Sequence, residues 1–389
     1  MVLFMHMVQR NYWKNAIEAL WKKKSIIWLS GVRRAGKTFL SKSLENAEYF
    51  DCELPRTRKM MEDPEEFLNL IKGKRIILDE IHRLKNPSEL LKIAADHYPE
   101  SFILATGSST LGVSAKFKDT LTGRKRQLWL TPMCLNDLDD FNAANLEHRF
   151  LHGGLPPFFL SSDLPEQDFQ EWIDAYWAKD IQELFRIERR YSFQRFFELL
   201  MIQSSGIFEA TKFSKRCEIS RTSITNYLKV LESTFVVHVI RPFSTYRPTE
   251  IVSAPKVYGF DTGFISYLRG ITKFRDEDFG LFWEHFVLNE IHAKLQTRDI
   301  KYWRDKRGHE IDFILQKRGE TPVAIECKWK SPGGDFEDRN IKAFLKQYPA
   351  SKVYIVSSDV TRTYHRKIRD HQITITNIPA LIKQFQTKS

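Results

Sequence analysis

Residues Ile26 to Lys42 read I-I-W-L-S-G-V-R-R-A-G-K-T-F-L-S-K, and this stretch decides the fold. Five strand-forming residues, Ile26 to Ser30, run into Gly31-Val32-Arg33-Arg34-Ala35-Gly36-Lys37-Thr38, which fits G-x-x-x-x-G-K-[ST] at every position. The two glycines let the backbone curl until successive N–H groups point at a phosphate, at the N-terminus of the helix that follows. Lys37 is expected to reach the β- and γ-phosphates, and the Thr38 hydroxyl to ligate Mg²⁺. Phe39 joins the octet among the expected nucleotide contacts. ATP and Mg²⁺ are therefore the expected cofactors.

Working outward, Tyr49 to Leu54 reads as a second strand, and Arg75-Ile76-Ile77-Leu78-Asp79-Glu80 as a buried strand ending in two carboxylates. Asp79 is placed to hold Mg²⁺ through water, and Glu80 to orient and deprotonate the attacking water. A further strand, Ser101 to Thr106, runs into Gly107-Ser108-Ser109-Thr110. Ser108 is the candidate γ-phosphate sensor of an additional-strand P-loop ATPase, with Thr106 as the alternative; a helix-capping serine would look the same. Arg124, in Leu121-Thr122-Gly123-Arg124-Lys125-Arg126, is either an arginine finger for a neighbouring subunit's nucleotide or part of a solvated basic turn. The last strand is expected over Gln127 to Thr131. Alternating strands and helices around such a loop predict an α/β fold with a parallel sheet, its ligands at the C-terminal strand ends.

GVRRAGKT, RIILDEIHRL and ILATGSST, followed by LTGR and an LTPM strand, resemble the AAA-type ATPases of bacteria and archaea that carry a C-terminal domain of unknown function. The paired Arg33 and Arg34 and the T-G-S-S run are typical of that family, as are G-G-L-P at Gly153 to Pro156 and D-T-G at Asp261 to Gly263. The resemblance covers nearly the whole chain. It implies a homo-oligomer with sites between subunits, expected as a hexameric ring, and a helical lid after the G-G-L-P segment. Arg186, Arg189 and Arg190 belong to that lid region, as phosphate or subunit contacts or simply as a charged helix face.

The chain has 389 residues, enough for two or three domains. Three are expected: an ATPase domain over 1–145, a helical lid and winged-helix region over 146–255, and a last domain over 256–389. Apolar residues make up 42% and charged residues 28%, the balance of a globular protein. No apolar run approaches the ~20 residues that span a bilayer, so no membrane partner is expected. The scattered Cys52, Cys134, Cys217 and Cys327 suggest neither a zinc site nor a disulfide framework, which points to the cytoplasm. A net charge of +11 favours a polyanionic partner, DNA first, over a merely lysine-rich solubility surface.

In the middle region, Phe213 to Cys217, a turn at Glu218 to Ser220, and Arg221 to Glu232 read as helix-turn-helix. Ile224, Leu228 and Leu231 recur at helical spacing on one side, while Arg221, Thr222, Ser223, Thr225 and Asn226 lie on the other. Phe235 to Ile240 would supply a wing. Such an element either meets DNA, mostly through phosphates and with little sequence preference, or serves as a lid without entering a groove.

In the last region a helix from Gly280 to about Leu295 carries Glu284 and Glu290, and two strands follow, His309 to Leu315 and Pro322 to Lys330. Asp312 and Glu326 fall on adjacent strands, and Lys328 shares the face of Glu326. Two carboxylates and a lysine would bind Mg²⁺ and stabilise an attacked phosphodiester, with Glu290 as a further ligand and Glu284 as its alternative. The order helix, strands, D…E-x-K is similar to the PD-(D/E)XK nuclease core. Lys342, Lys346 and Lys352 are expected to help hold a DNA backbone. The resemblance leaves open whether such a core cuts DNA or only grips it.

Overall fold

The computed structural model describes residues 8–107, 120–182, 185, 187, 189–245, 254–331 and 338–386. The chain forms two compact units, one of residues 1–146, 154–188 and 233–236, the other of residues 147–153, 189–232 and 237–389. Segment 146–255, read from the sequence as one domain, is divided between them. Its lid-like part, 154–188, belongs with the N-terminal strands, whereas the helix-turn-helix belongs with the C-terminal strands.

The first unit is built on β1 (Ile26–Ser30), β2 (Ala47–Asp51), β3 (Arg75–Asp79), β4 (Phe102–Thr106) and β5 (Lys125–Trp129). All neighbours are parallel, in the order β2-β3-β4-β1-β5. Strand β4 is thus inserted between the strand that feeds the phosphate loop and the one that ends in Asp79. The three central strands β1, β3 and β4 are largely apolar because both faces are covered, whereas the edge strands β2 and β5 carry charged residues. Ile76, Leu78, Ile103 and Ala105 pack against Phe67, Leu68, Leu90 and Leu91 of two helices, Pro64–Leu70 and Pro87–His97. Each such large side chain contributes about 1.5–3 kcal/mol by leaving water. The helix Asn11–Trp21 buries Trp13, Ile17 and Trp21, one apolar stripe at a spacing of four.

The second unit carries a nine-stranded mixed sheet among its described residues. Its strands are β6 (Gly206–Ile207), β7 (Val237–Pro242), β8 (Lys256–Gly259), β9 (Lys301–Arg304), β10 (Glu310–Leu315), β11 (Val323–Lys328), β12 (Lys352–Ser357), β13 (Tyr364–Ile368) and β14 (His371–Thr376). They lie in the order β13-β14-β12-β11-β10-β9-β7-β8-β6. The helix Phe279–Leu295 buries residues on every side, which is why its sequence lacks a polar face. The helices Ala210–Cys217 and Arg221–Ser233 belong to the same unit, with Ile224, Tyr227, Leu228 and Leu231 buried and Arg221, Thr222, Thr225 and Asn226 exposed.

The D-T-G and G-G landmarks lock together inside this unit. Arg149, 1% exposed, donates to Thr262 Oγ1 at 2.9 Å and lies 3.8 Å from the Asp261 carboxylate. Asp261 in turn caps its helix by accepting from the Gly263 N–H at 2.9 Å. Gly153 and Gly263 approach so closely that a Cβ on Gly263 would lie 2.7 Å from the Gly153 nitrogen. These landmarks hold chain segments together.

Candidate functional site

The phosphate loop leaves β1 and enters the helix Lys37–Lys42. Gly36 precedes that helix at φ +95°, a backbone conformation that a side chain rarely adopts. Lys37 Nζ donates to the Gly31 and Val32 carbonyls at 2.9 and 3.0 Å, folding back over the loop. Burial draws the Lys37 ammonium below its ordinary pKa, opposed by the negative charges of Glu80, Asp180 and Asp79.

Three hydroxyls converge on Asp79, at the C-terminal tip of β3: Thr38 Oγ1 donates to Oδ2 at 2.9 Å, Tyr49 Oη to Oδ2 at 2.6 Å, and Thr106 Oγ1 to Oδ1. Thr38 and Asp79 therefore present hard oxygen donors side by side at the loop, the donor type that Mg²⁺ prefers. Glu80 stands in left-handed backbone at φ 53°, uncommon for a residue with a side chain. Its N–H donates to Thr106 Oγ1 at 3.2 Å, and its carboxylate lies 3.1 Å from His82 Nδ1. Burial alone would raise the Glu80 pKa, but the His82 hydrogen bond and the Lys37 charge hold it below the usual range. The residue is thus an ionised carboxylate held off the strand axis.

The structure turns the side chains of Arg33 and Arg34 toward carboxylates of the following segment. Arg33 Nε lies 3.2 Å from Asp180 Oδ2, and Arg34 Nη1 lies 3.9 Å from Asp168 Oδ1 with its guanidinium over the Phe158 ring. Phe39 is 69% exposed. Ser108 and Arg186 lie outside the described residues; Thr106, the alternative to Ser108, does join Asp79. Arg124 pairs with Asp96 at 2.7 Å beside the start of β5, where Lys125 pairs with Ile26, at the opposite end of the sheet from its own phosphate loop.

Sequence reading missed the clamp beneath the loop. Arg10, 4% exposed, donates to Ala35 O and to both Asp137 oxygens, each at 2.8 Å. Asp137 lies 127 residues away in the chain, and no local pattern links the two. Tyr49 had a legible signal: β2 is the neighbour of β3, and an aromatic hydroxyl near its tip can reach Asp79.

In the second unit Asp312 and Glu326 meet one step beyond the Phe313–Ile325 pair of β10 and β11. Asp312 Oδ2 accepts from the Cys327 N–H at 2.7 Å, and Glu326 Oε1 is 2.8 Å from Lys328 Nζ. Glu326 Oε2 is buried without a hydrogen-bond partner among the described residues. Burial, followed by the Glu284 charge, pushes Asp312 up to about 7, and burial, followed by Asp312, pushes Glu326 up to about 8. A buried carboxylate oxygen left over beside a second acid fits a cation. Glu284 is a helix carboxylate whose charge reaches Asp312. Glu290, the first choice from the sequence, is buried six residues further along the same helix. Glu284 is itself engaged: Tyr258 Oη donates to it at 2.5 Å, and the buried Lys256 ammonium lies 3.5 Å away and also pairs with Glu310. Among the described residues no three His, Cys, Asp or Glu side chains form a metal-holding group.

A family model described as an AAA domain matches residues 23–138, and two described as domains of unknown function, DUF8612 and DUF4143, match residues 143–275 and 279–381. An uncharacterized protein of Mycobacterium tuberculosis is 27% identical over 316 residues, covering 78% of this chain and 70% of its own. Another, from Methanocaldococcus jannaschii, is 24% identical over 397 residues, covering 84% of this chain and 87% of its own. Among solved structures, the Walker-type ATPase of Pyrococcus abyssi has a TM-score of 0.43 at 15% identity, over 67% of this chain and 96% of that one. No helix among the described residues is long and apolar enough to cross a membrane. The stretch that carries the phosphate loop, Asp79 and Glu80, residues 23–138, is thus the part of the chain that is similar to an AAA domain.

Proposed function

We propose that the chain is an ATP-hydrolysing AAA-type motor that acts on DNA in the cytoplasm as a homo-oligomer, a hexameric ring being the expected form. The observation that carries the ATPase reading is the convergence of Thr38, Thr106 and Tyr49 on Asp79, with Glu80 beside it in strained backbone. Lys37 neutralises the β- and γ-phosphates. Glu80, oriented by His82 and by its own N–H on Thr106, takes a proton from water as the water oxygen attacks the γ-phosphorus. The bond to the bridging oxygen breaks, and ADP and phosphate leave. Mg²⁺, held by Thr38 and Asp79, would neutralise charge developing on the phosphate oxygens. Arg124 is the candidate finger for a neighbouring copy's nucleotide. Glu80→Gln is expected to keep ATP binding and lose turnover; undiminished hydrolysis would refute the role of Glu80.

DNA as partner is supported by the net charge of +11 and by the exposed face of the helix Arg221–Ser233, read as the recognition helix of a winged helix. It is supported further by Asp312, Glu326 and Lys328, a nuclease-like set that Mg²⁺ would complete. A second reading, an ATP-controlled DNA-binding switch with a silent nuclease-like fold, is favoured by Lys256 and Tyr258, which already engage the third carboxylate, Glu284. One experiment separates the two: labelled forked or four-way DNA with Mg²⁺ and ATP, wild type beside Asp312→Ala, on a denaturing gel. Cleavage lost in the variant supports the nuclease; intact strands, with ATP-dependent binding, support the switch. Hydrolysis and binding both indifferent to DNA would overturn the DNA reading.

A further inference from the structure

Within the first unit, the chain after the G-G-L-P segment holds the phosphate loop by contacts on two successive residues. Trp172 Nε1 donates to the Arg33 carbonyl at 3.1 Å, and Asp168 faces Arg34. The Trp172 ring stacks on Tyr176 at 5.1 Å, and Tyr176 opens a π-helical turn, Tyr176–Gln182. Such turns are rare and concentrate at functional positions. On this one stands Asp180, its side chain 15% exposed and its Oδ2 3.2 Å from Arg33 Nε. Lys37 and Glu80 are both within electrostatic reach of the same carboxylate. Asp180 therefore supplies negative charge to the loop arginine and the phosphate-binding lysine, the two cations a bound phosphate would also seek.

We propose that Asp180 is a positioning residue that senses the γ-phosphate by repulsion, so that ATP, and not ADP, must displace Asp180 and its π-helical turn from Arg33 to bind. The inference rests on the nucleotide reading of the loop. Without a nucleotide, the half-buried Arg33 and Lys37 need a counter-charge, and Asp180 provides it. With ATP, the third phosphate brings like charge to the same place, and in a partly desolvated site that repulsion is not screened away. ADP stops one phosphate short.

The test is equilibrium binding to the full chain of a non-hydrolysable ATP analogue and of ADP, both with Mg²⁺, by isothermal titration calorimetry. Asp180→Asn keeps an acceptor for Arg33 Nε and removes the charge. The analogue is expected to bind about tenfold more tightly to the variant, with ADP changed less than about threefold. Arg33→Gln, which leaves Asp180 facing Lys37 without its partner, is expected to weaken the analogue more than ADP and serves if Asp180→Asn does not fold. Parallel changes for both nucleotides in either variant would reduce Asp180 to a structural prop and overturn the proposal. A wild type that binds neither nucleotide would overturn the loop assignment itself, a failure distinct from that of Asp180.

Discussion

Replacing Arg10 by Met should unseat the phosphate loop from beneath. Arg10 makes two charged hydrogen bonds to Asp137 and one to Ala35 O, each 2.8 Å, in a site where its side chain is 5% and that of Asp137 0% exposed. Burial alone would raise the Asp137 pKa, but the Arg10 charge and hydrogen bonds hold it below the usual range. Methionine fills the volume but leaves that carboxylate buried, with the Trp13 indole at 3.2 Å and the Cys134 N–H at 2.9 Å as donors. Breaking a buried pair from one side costs about 3–5 kcal/mol, and the two surviving donors place this site toward the lower end. Urea unfolding followed by tryptophan fluorescence and circular dichroism measures the loss. Arg10→Met with Asp137→Leu removes both charges and should regain roughly half of the stability. Nucleotide affinity should stay low in both variants, because Ala35 O has lost its donor in each. A single variant within about 0.5 kcal/mol of wild type, or normal ATP affinity in the double variant, would refute the clamp.

Gly263→Ala should destabilise the second unit by about 3 kcal/mol, since the new Cβ would lie 2.7 Å from backbone atoms of His152 and Gly153 that cannot swing aside; a thermal midpoint equal to wild type would refute this. Acid should unfold the same unit through His285 and His292, which burial draws down to about 4 and about 3. The unfolded chain takes up their protons below about pH 6.5 while the folded chain does not, so stability falls as pH drops, by roughly 1.4 kcal/mol per pH unit for each ring, until the folded values are reached. His285→Gln, in contact with Ser204 Oγ at 2.7 Å in the parent, should flatten the slope between pH 6 and about 4 by that amount in urea titrations, and an unchanged slope would refute the assignment.

The phosphate loop, Asp79 and Glu80 were legible in the sequence because their chemistry is local. A loop of eight successive residues offers its own backbone N–H groups to a phosphate, and an apolar strand ending in two acids carries its position with it. The two helices Ala210–Cys217 and Arg221–Ser233, and the meeting of Asp312 with Glu326 and of Glu326 with Lys328, were legible for the same reason: helical and strand periodicity decides which side chains share a face. Tertiary structure decided the rest. It paired Arg33 and Arg34 with Asp180 and Asp168, brought Tyr49 and Thr106 to Asp79, and set Arg10 beneath Ala35. It brought the Glu284 charge to Asp312, and it divided residues 146–255 between two compact units. Side-chain partners far apart in the chain are chosen by which surfaces must be buried together, and that choice is made by the whole fold and written in no single stretch of sequence.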